Sequence, residues 1–108
     1  MWLETITVRT AEPEQLHQGL GELIEQLAVA APSLEVAVYS RHPSNSDVSL
    51  HLLHADDRLA PSLQGTQLAH SLRLYGSVSH AVWQPANLEH STQQGGRRAV
   101  SHRCQHYR

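Results

Sequence analysis

The segment LHQGLGELIEQL, residues 16–27, decides the fold of this 108-residue chain. Its apolar residues recur at steps of four, three, one and three, which places them on one face of an α-helix. Strand-like segments rich in β-branched residues lie on both sides of this helix. The helix is predicted to span residues 13–30, because Pro13 suits a first helical turn and Pro32 ends it.

The other segments complete an alternation of strands and helices. Strands are predicted over residues 2–9, 34–41, 48–54 and 77–84. A second helix is predicted over 58–75, with Gly76 as its cap, and Pro85 is expected to close the last strand. The turn formers at 42–47 join the second and third strands as a hairpin. The β-α-β-β-α-β order predicts an α+β, ferredoxin-like sandwich, with an antiparallel sheet and both helices on one face.

Composition and charge divide the chain into two parts. Residues 1–88 are predicted to form one domain and residues 89–108 a flexible basic tail, with residues 93–96 as a link. The first 90 residues carry four Arg and all ten acids, a net charge of −6, whereas the last 18 carry four Arg and no acid. Such a tail is suited to bind nucleic acid or an anionic surface, or to lie back on its own body or on that of a partner copy.

Cysteine usage and hydropathy narrow the class of protein. The single cysteine, Cys104, excludes an internal disulfide and suits a reducing compartment, so we expect a cytoplasmic protein. No stretch approaches the roughly 20 apolar residues that span a bilayer, and no secretory leader pattern is visible. We therefore expect no membrane partner.

The predicted strands present two chemically different faces. Alternate residues point to opposite sides of a sheet. The inward set is Ile6, Val8, Val36, Val38, Val48, Leu50 and Leu52, and we expect Val78 and Val82 to join it. The opposite set is Thr5, Thr7, Arg9, Ala37, Tyr39, Arg41, Ser49, His51 and Leu53. This second face is too apolar for a wet surface and too polar for a dry core, so it suits either a lined cavity or a dimer interface containing water.

The chain contains nine histidines, so we first ask whether one of them acts as a general acid or base. His51 is a candidate general base beside Tyr39, with Arg41 as the stabiliser of a substrate anion. The alternative is a histidine that is satisfied at a dimer interface, and His80 has the same two interpretations. His51 and His54 are three apart on a strand, so they point to opposite faces and cannot share a metal. Since no zinc or iron motif is present, we expect no metal.

The layout is similar to that of a known superfamily. The segments that carry the similarity are residues 2–9, 16–27, 48–54 and 76–83. Together they resemble the dimeric α+β barrel superfamily, and within it the antibiotic-biosynthesis-monooxygenase-like domains. The resemblance implies a homodimer with two sheets paired into a barrel and a pocket beside each sheet. Some members oxidise quinol-like compounds with oxygen and no cofactor. Haem-degrading members use an Asn on the first strand, where this chain has Thr5 and Thr7.

The resemblance implies a cofactor-independent, monooxygenase-like protein acting on a small aromatic or quinol-type compound. Tyr39, Trp83, Thr7 and His80 are the expected substrate-binding residues. The alternative is a non-catalytic ligand-binding or dimeric interaction module, and the sequence leaves open whether the chain is an enzyme. RNA-binding domains share the element order but place aromatic residues on the central strands. Because such stacking residues are missing here, the expected partners are a second copy and a small aromatic ligand, not nucleic acid.

Overall fold

The chain folds as an α+β protein whose first six elements follow the predicted order. The computed structural model describes the backbone of residues 1–88 and 99–107 and the side chains of residues 1–86. The elements are β1 (Trp2–Arg9), α1 (Pro13–Ala30), β2 (Glu35–Ser40), β3 (Asp47–His54), α2 (Leu63–Leu72), β4 (Ser77–Leu88) and β5 (Ala99–Tyr107). No helix in these ranges is long and apolar enough to cross a membrane.

The five strands form one antiparallel sheet in the order β2-β3-β1-β4-β5. Strand β1 lies between β3 and β4, and its register sets Thr5 opposite both His51 and Ala81. The order of the first four strands is compatible with a ferredoxin-like arrangement. Since β1 has a neighbour on each side, side chains from β3 and β4 flank those of β1.

One face of the sheet packs against the two helices. The predicted stripe supplies the α1 side of this core, with Leu16, Leu20 and Leu27 buried and Leu23 and Ile24 packed against them. The other buried apolar residues of the cluster are Ile6, Val8, Val48, Leu50, Leu52, Leu68, Ala69 and Leu72. Val78 and Val82 also lie on this side, as expected. Val38 shares the face but is 40% exposed, because β2 is the edge strand.

Helix α2 is shorter than predicted. It begins after Ser62, whose side chain accepts a hydrogen bond from the Gly65 N–H, and its C-cap is Arg73. Leu63, the first residue of the helix, is 69% exposed. Gly76 lies beyond the helix end, and a Cβ there would overlap the carbonyl oxygen of Arg9. Gly76 is thus needed for its close approach to the end of β1, not as the helix cap.

Strand β4 runs through Pro85 instead of ending there. Its pairing with β1 stops at Trp83, so at Pro85 the strand has a neighbour on one side only, a position that tolerates proline. The partner on that side is β5, which pairs from His80↔Tyr107 to Leu88↔Ala99. Part of the predicted flexible tail is therefore a strand. The link predicted at 93–96 lies outside the described residues.

Candidate functional site

A carboxylate lies inside the core between the sheet and the helices. Glu4 falls in phase with the buried residues of β1 and is 0% exposed, the one acidic side chain buried among residues 1–86. A buried charge is costly unless hydrogen bonds replace its water. Four hydrogen bonds replace this water. Glu4 Oε1 accepts from Ser62 Oγ at 2.6 Å and pairs with His54 Nε2 at 2.9 Å. Glu4 Oε2 accepts from the Ser62 backbone N–H at 3.1 Å and pairs with His80 Nε2 at 2.5 Å.

The start of α2 is built around this carboxylate. Ser62 is the N-cap, and it contacts Glu4 through both its hydroxyl and its backbone N–H. The first turn of a helix carries partial positive charge, which favours an anion. Gly65 completes the seat, since a Cβ at this position would overlap the Glu4 carboxylate. The first turn of α2 thus packs directly against Glu4 and leaves no space for a side chain at position 65.

The hydrogen bonds keep Glu4 ionised. Burial is the largest single influence and raises the pKa of the carboxyl, but the bonds from His80, Ser62 and His54 together outweigh it. The net result is a pKa below the ordinary value of 4.5. The core therefore contains a carboxylate anion at neutral pH.

Two imidazoles flank the carboxylate from the neighbouring strands. His54 ends β3 and His80 lies on β4, each with about 10% of its side chain exposed. The Trp2 indole stacks on His54, with ring centroids 3.9 Å apart, and donates its N–H to Asp56 at 2.8 Å. Because an ionised carboxylate only accepts, each neutral imidazole must carry its proton on Nε2. The other ring nitrogen, Nδ1, is then left as a proton acceptor.

The bond of each imidazole to Glu4 uses Nε2 and leaves Nδ1 as the second ring nitrogen. Neither Nδ1 atom has a hydrogen-bond partner among the described side chains. Within the same residues, no buried side-chain nitrogen or oxygen lacks a partner. About a tenth of each imidazole side chain is exposed, so neither ring is fully enclosed by the core.

Each histidine lines a different cavity. The groove is a 790 Å³ cavity between α1 and α2, and His80 is part of its lining. The cleft is a 620 Å³ cavity next to the end of β3, and His54 is part of its lining. Gln64 borders both. Glu4 therefore supports two carboxylate–histidine pairs, and each pair opens into its own cavity.

The residues predicted from sequence lie mostly on the opposite, open face of the sheet. Tyr39 and His51 contact each other with ring centroids 4.7 Å apart, and both line a 480 Å³ depression. His51 Nε2 lies 3.0 Å from Ser49 Oγ, which in turn lies 3.2 Å from Thr7 Oγ1. Burial lowers the pKa of His51, so this histidine is uncharged at neutral pH. His51, Tyr39 and Thr7 thus lie together on the open face.

The other predicted residues do not join this group. Arg41 is exposed and ion-paired with Asp47 at 3.1 Å, so the guanidinium is held by an acid of the hairpin. Trp83 shares the open face, where its indole N–H donates to Thr5 Oγ1 at 2.8 Å. His80 lies on the opposite face with Glu4. The predicted set is therefore divided between the two sides of the sheet.

Sequence reasoning missed Glu4, His54, Ser62 and Gly65. The signal that could have revealed Glu4 is its position in the alternation of strand residues. Glu4 lies between Trp2 and Ile6 at an inward position, where an apolar residue is expected. His54 and His80 are likewise in phase with buried neighbours. Each of three adjacent strands thus has one polar residue at an inward, otherwise apolar position. A count of histidines does not reveal this pattern.

No group of three or more His, Cys, Asp or Glu side chains is arranged to hold a metal ion in the part of the chain that the structure describes. The Nε2 atoms of the two imidazoles bond to Glu4 instead.

Comparisons with protein-family models, with curated proteins and with solved structures find no match to this chain.

Proposed function

We propose that this protein performs acid–base chemistry in the groove, with His80 as the proton acceptor. The observation that carries the proposal is the Glu4–His80 pair, in which a buried carboxylate holds one ring nitrogen at 2.5 Å while the ring lines a cavity. A carboxylate behind a histidine fixes its tautomer and stabilises the imidazolium that forms when the histidine takes a proton.

Proton transfer in the groove follows from this pair. A ligand with a weakly acidic O–H places that group against His80 Nδ1, which accepts the proton. The Nε2–H stays hydrogen-bonded to Glu4, so the new positive charge lies directly beside a carboxylate. General base catalysis of this kind accelerates a reaction by roughly 10²–10⁴-fold.

The lining of the groove supports a small aromatic or quinol-type substrate. Its walls are apolar at Leu23, Leu27 and Leu68, which suits a flat hydrocarbon ring. His70 and Arg73 also line it, and no acidic residue does so among the described residues, which favours the anion left after deprotonation. Such an anion is electron-rich and reacts with molecular oxygen as the oxidant. One oxygen atom enters the ring, the other leaves as water, and the quinol becomes a hydroxyquinone, so the substrate itself supplies the electrons and no cofactor is needed.

Oxygen uptake with a panel of hydroquinones and polycyclic phenols tests this function. Glu4→Gln and His80→Ala should each lower turnover by about a hundredfold or more, because the oriented base is lost. His51→Ala is the matched control, since it removes a histidine from the other face and should retain most of the activity. Loss of turnover in His51→Ala with retention in His80→Ala would place the base on the open face instead.

We further propose that two copies pair through the open face of the sheet to form a dimeric α+β barrel. Tyr39 is 57% exposed there, and the depression beside it is lined by Leu3, Ala37 and Leu53. A partly apolar sheet face without helices needs a cover. Size-exclusion chromatography with light scattering should give about 24 kDa, twice the 12.0 kDa of one chain, and a mass of one chain would contradict the pairing.

The exposed Tyr39–His51 pair favours a second candidate, a non-catalytic interaction module. In that case His51 and Tyr39 hold the dimer together, and the groove binds a ligand without turning it over. His51→Ala would then dissociate the dimer. The candidate is supported if no compound of the panel is consumed while the groove still binds one, and it is contradicted by turnover that depends on His80.

A further inference from the structure

The outer edge of β2 is an unpaired strand edge. In the sheet order, β2 pairs with β3 and has no neighbour on its other side among the described residues. Its sequence, EVAVYS, contains neither the proline nor the lysine that commonly blocks such an edge. Val38 and Tyr39 are exposed on the two faces of the strand. A row of backbone donors and acceptors with apolar side chains on both faces is therefore open to another strand.

The bonds to β3 determine which residues of β2 face outward. The Arg41 backbone N–H donates to the Asp47 carbonyl oxygen at 2.9 Å, and these two residues continue the register of the β2–β3 pair. In an antiparallel ladder, alternate residues bond to one neighbouring strand, and the residues between them point their N–H and C=O groups to the other side. Arg41 and every second residue before it therefore bond to β3. The residues whose backbone groups point to the free edge are Val36, Val38 and Ser40.

This alternation restricts how a second copy of β2 can pair with the edge. Two antiparallel strands form hydrogen bonds only where outward-facing residues lie opposite each other. The register with Val38 opposite Val38 also sets Val36 opposite Ser40, so it pairs all three outward residues of each copy. It has a two-fold axis through Val38, and the same edge serves both copies, as in an isologous interface. The result is one continuous sheet with the helices of both copies on the same side.

The same register brings opposite charges together. On the open face it sets Glu35 opposite Arg41 and Ala37 opposite Tyr39, and the two-fold axis repeats each pair. These are non-hydrogen-bonded positions, where side chains that lie directly opposite each other are closest. Glu35 is exposed and has no ion pair among the side chains of residues 1–86. Arg41 donates from Nη1 to Asp47 at 3.1 Å and has further N–H donors for a second carboxylate. Backbone bonding and charge thus favour the same register independently.

We propose that the edge of β2 is a self-association surface and that its partner is β2 of a second copy, paired antiparallel with Val38 on the two-fold axis. The surface is separate from the open face, since it consists of backbone groups along one edge of the sheet. A six-residue strand buries little area, so the pairing is weak and increases with protein concentration. With the open-face pairing also present, the mass rises from about 24 kDa toward about 48 kDa, two and four times the 12.0 kDa of one chain.

Light scattering over a concentration series tests the edge with Val38→Pro. Proline removes an N–H that points outward and breaks no bond to β3, and edge strands tolerate proline at such positions. The mass of the unchanged protein should rise with concentration, whereas the variant, with its fold checked by circular dichroism, should keep one mass. That constant mass, of one chain or of two, reports the open-face pairing separately. A variant that associates as the unchanged protein does, or an unchanged protein of constant mass up to roughly millimolar concentration, would overturn the proposal.

Charge variants test the register. Glu35→Arg sets like charges opposite each other twice and should raise the dissociation constant of the edge contact roughly tenfold. Adding Arg41→Glu to that variant restores opposite charges and should recover the association. Glu25→Arg makes the same change of charge at an exposed position of α1 and is the matched control, which should associate as the unchanged protein does. Equal dissociation constants for Glu35→Arg and Glu25→Arg, or no recovery in the double variant, would overturn pairing in this register.

Discussion

The two faces of the sheet treat their histidines differently. On the helix-packed face, His54 and His80 are buried against one carboxylate, and each has a cavity beside it. On the open face, His51 is half-buried and contacts Tyr39 and the Ser49 hydroxyl, and no carboxylate bonds to its ring among the described residues. All three histidines lie on the face that strand alternation assigns to them. Only His54 and His80 are bonded to a carboxylate, the group that orients a histidine base.

The difference shows that the hydrogen-bond partner of a histidine, more than its exposure, decides whether it can act as an oriented base. The hydrogen-bond partner of His51 is the Ser49 hydroxyl, which can donate or accept, so this bond does not fix the tautomer of the ring. The helix-side pair is fixed by Ser62, by the start of α2 and by Gly65. The following predictions separate the two faces, beginning with the largest effect.

Removing the carboxylate should produce the largest loss of stability. Glu4→Ala leaves the donors of Ser62, His54 and His80 unpaired in the core, so the free energy of unfolding should fall by roughly 3 kcal/mol or more. Urea denaturation followed by circular dichroism measures it. Glu22→Ala, on the exposed face of α1, is the control and should change stability by less than about 0.5 kcal/mol. Similar values for both variants would mean that Glu4 is not the centre of a bonded cluster.

A glycine pair tests the fit of α2 against Glu4. Gly65→Ala places a Cβ in overlap with the carboxylate and should destabilise the fold by roughly 1–3 kcal/mol, as overpacking does. Gly21→Ala has no atom within 4 Å of the added Cβ and lies on the exposed face of α1, so it should stabilise by up to about 1 kcal/mol. The opposite signs make the thermal midpoints of the two variants easy to compare. If Gly65→Ala also stabilises, the helix start does not sit on Glu4 as described.

Acid should remove the contribution of Glu4 in a defined direction. The pKa of Glu4 is lowered in the folded chain, so the unfolded chain binds the proton first as the pH falls. The stability from this group is complete above the ordinary pKa of 4.5 and is lost as the pH falls from there through the folded pKa. Urea midpoints of the unchanged protein should therefore decrease more steeply below that value than those of Glu4→Gln. Parallel curves would show that the carboxyl is not stabilised as an anion.

The smallest effect concerns the open face. Burial lowers the pKa of His51, so its ring proton signals should titrate below the ordinary value of 6.5 in an NMR pH series. The same histidine in urea-unfolded protein provides the reference and should titrate at the ordinary value. A pKa above the reference would indicate an anionic partner on this face, and the contrast between the two faces would lose its basis.

Sequence patterns predicted the elements well where one periodicity dominated. The stripe from Leu16 to Leu27 predicted the helix α1, and Pro13 and Pro32 predicted its bounds. Strand alternation placed Ile6, Val48 and Leu50 in the core. The start of α2 was harder to predict, because Ser62 acts as the N-cap four residues after the predicted beginning. Strand β5 was missed, since its polar residues resemble a tail and its pairing with β4 is a long-range property.

The site could be predicted only in part for a similar reason. His51 and Tyr39 were placed together because a hairpin register is local. The Glu4 cluster joins residues that are 50, 58 and 76 positions apart, so no spacing in the sequence connects them. Its recognition requires the register of three strands and the placement of a helix start, which only the folded chain supplies.

The tautomer of His80 tests the central claim most directly. Long-range ¹H–¹⁵N NMR of the imidazole at about pH 8, where histidine is ordinarily neutral, distinguishes a protonated Nε2 from a protonated Nδ1. We expect His80 to carry its proton on Nε2, donated to Glu4, which leaves Nδ1 as the acceptor for a ligand in the groove. A His80 with its proton on Nδ1 would contradict the carboxylate-oriented base and the function proposed from it.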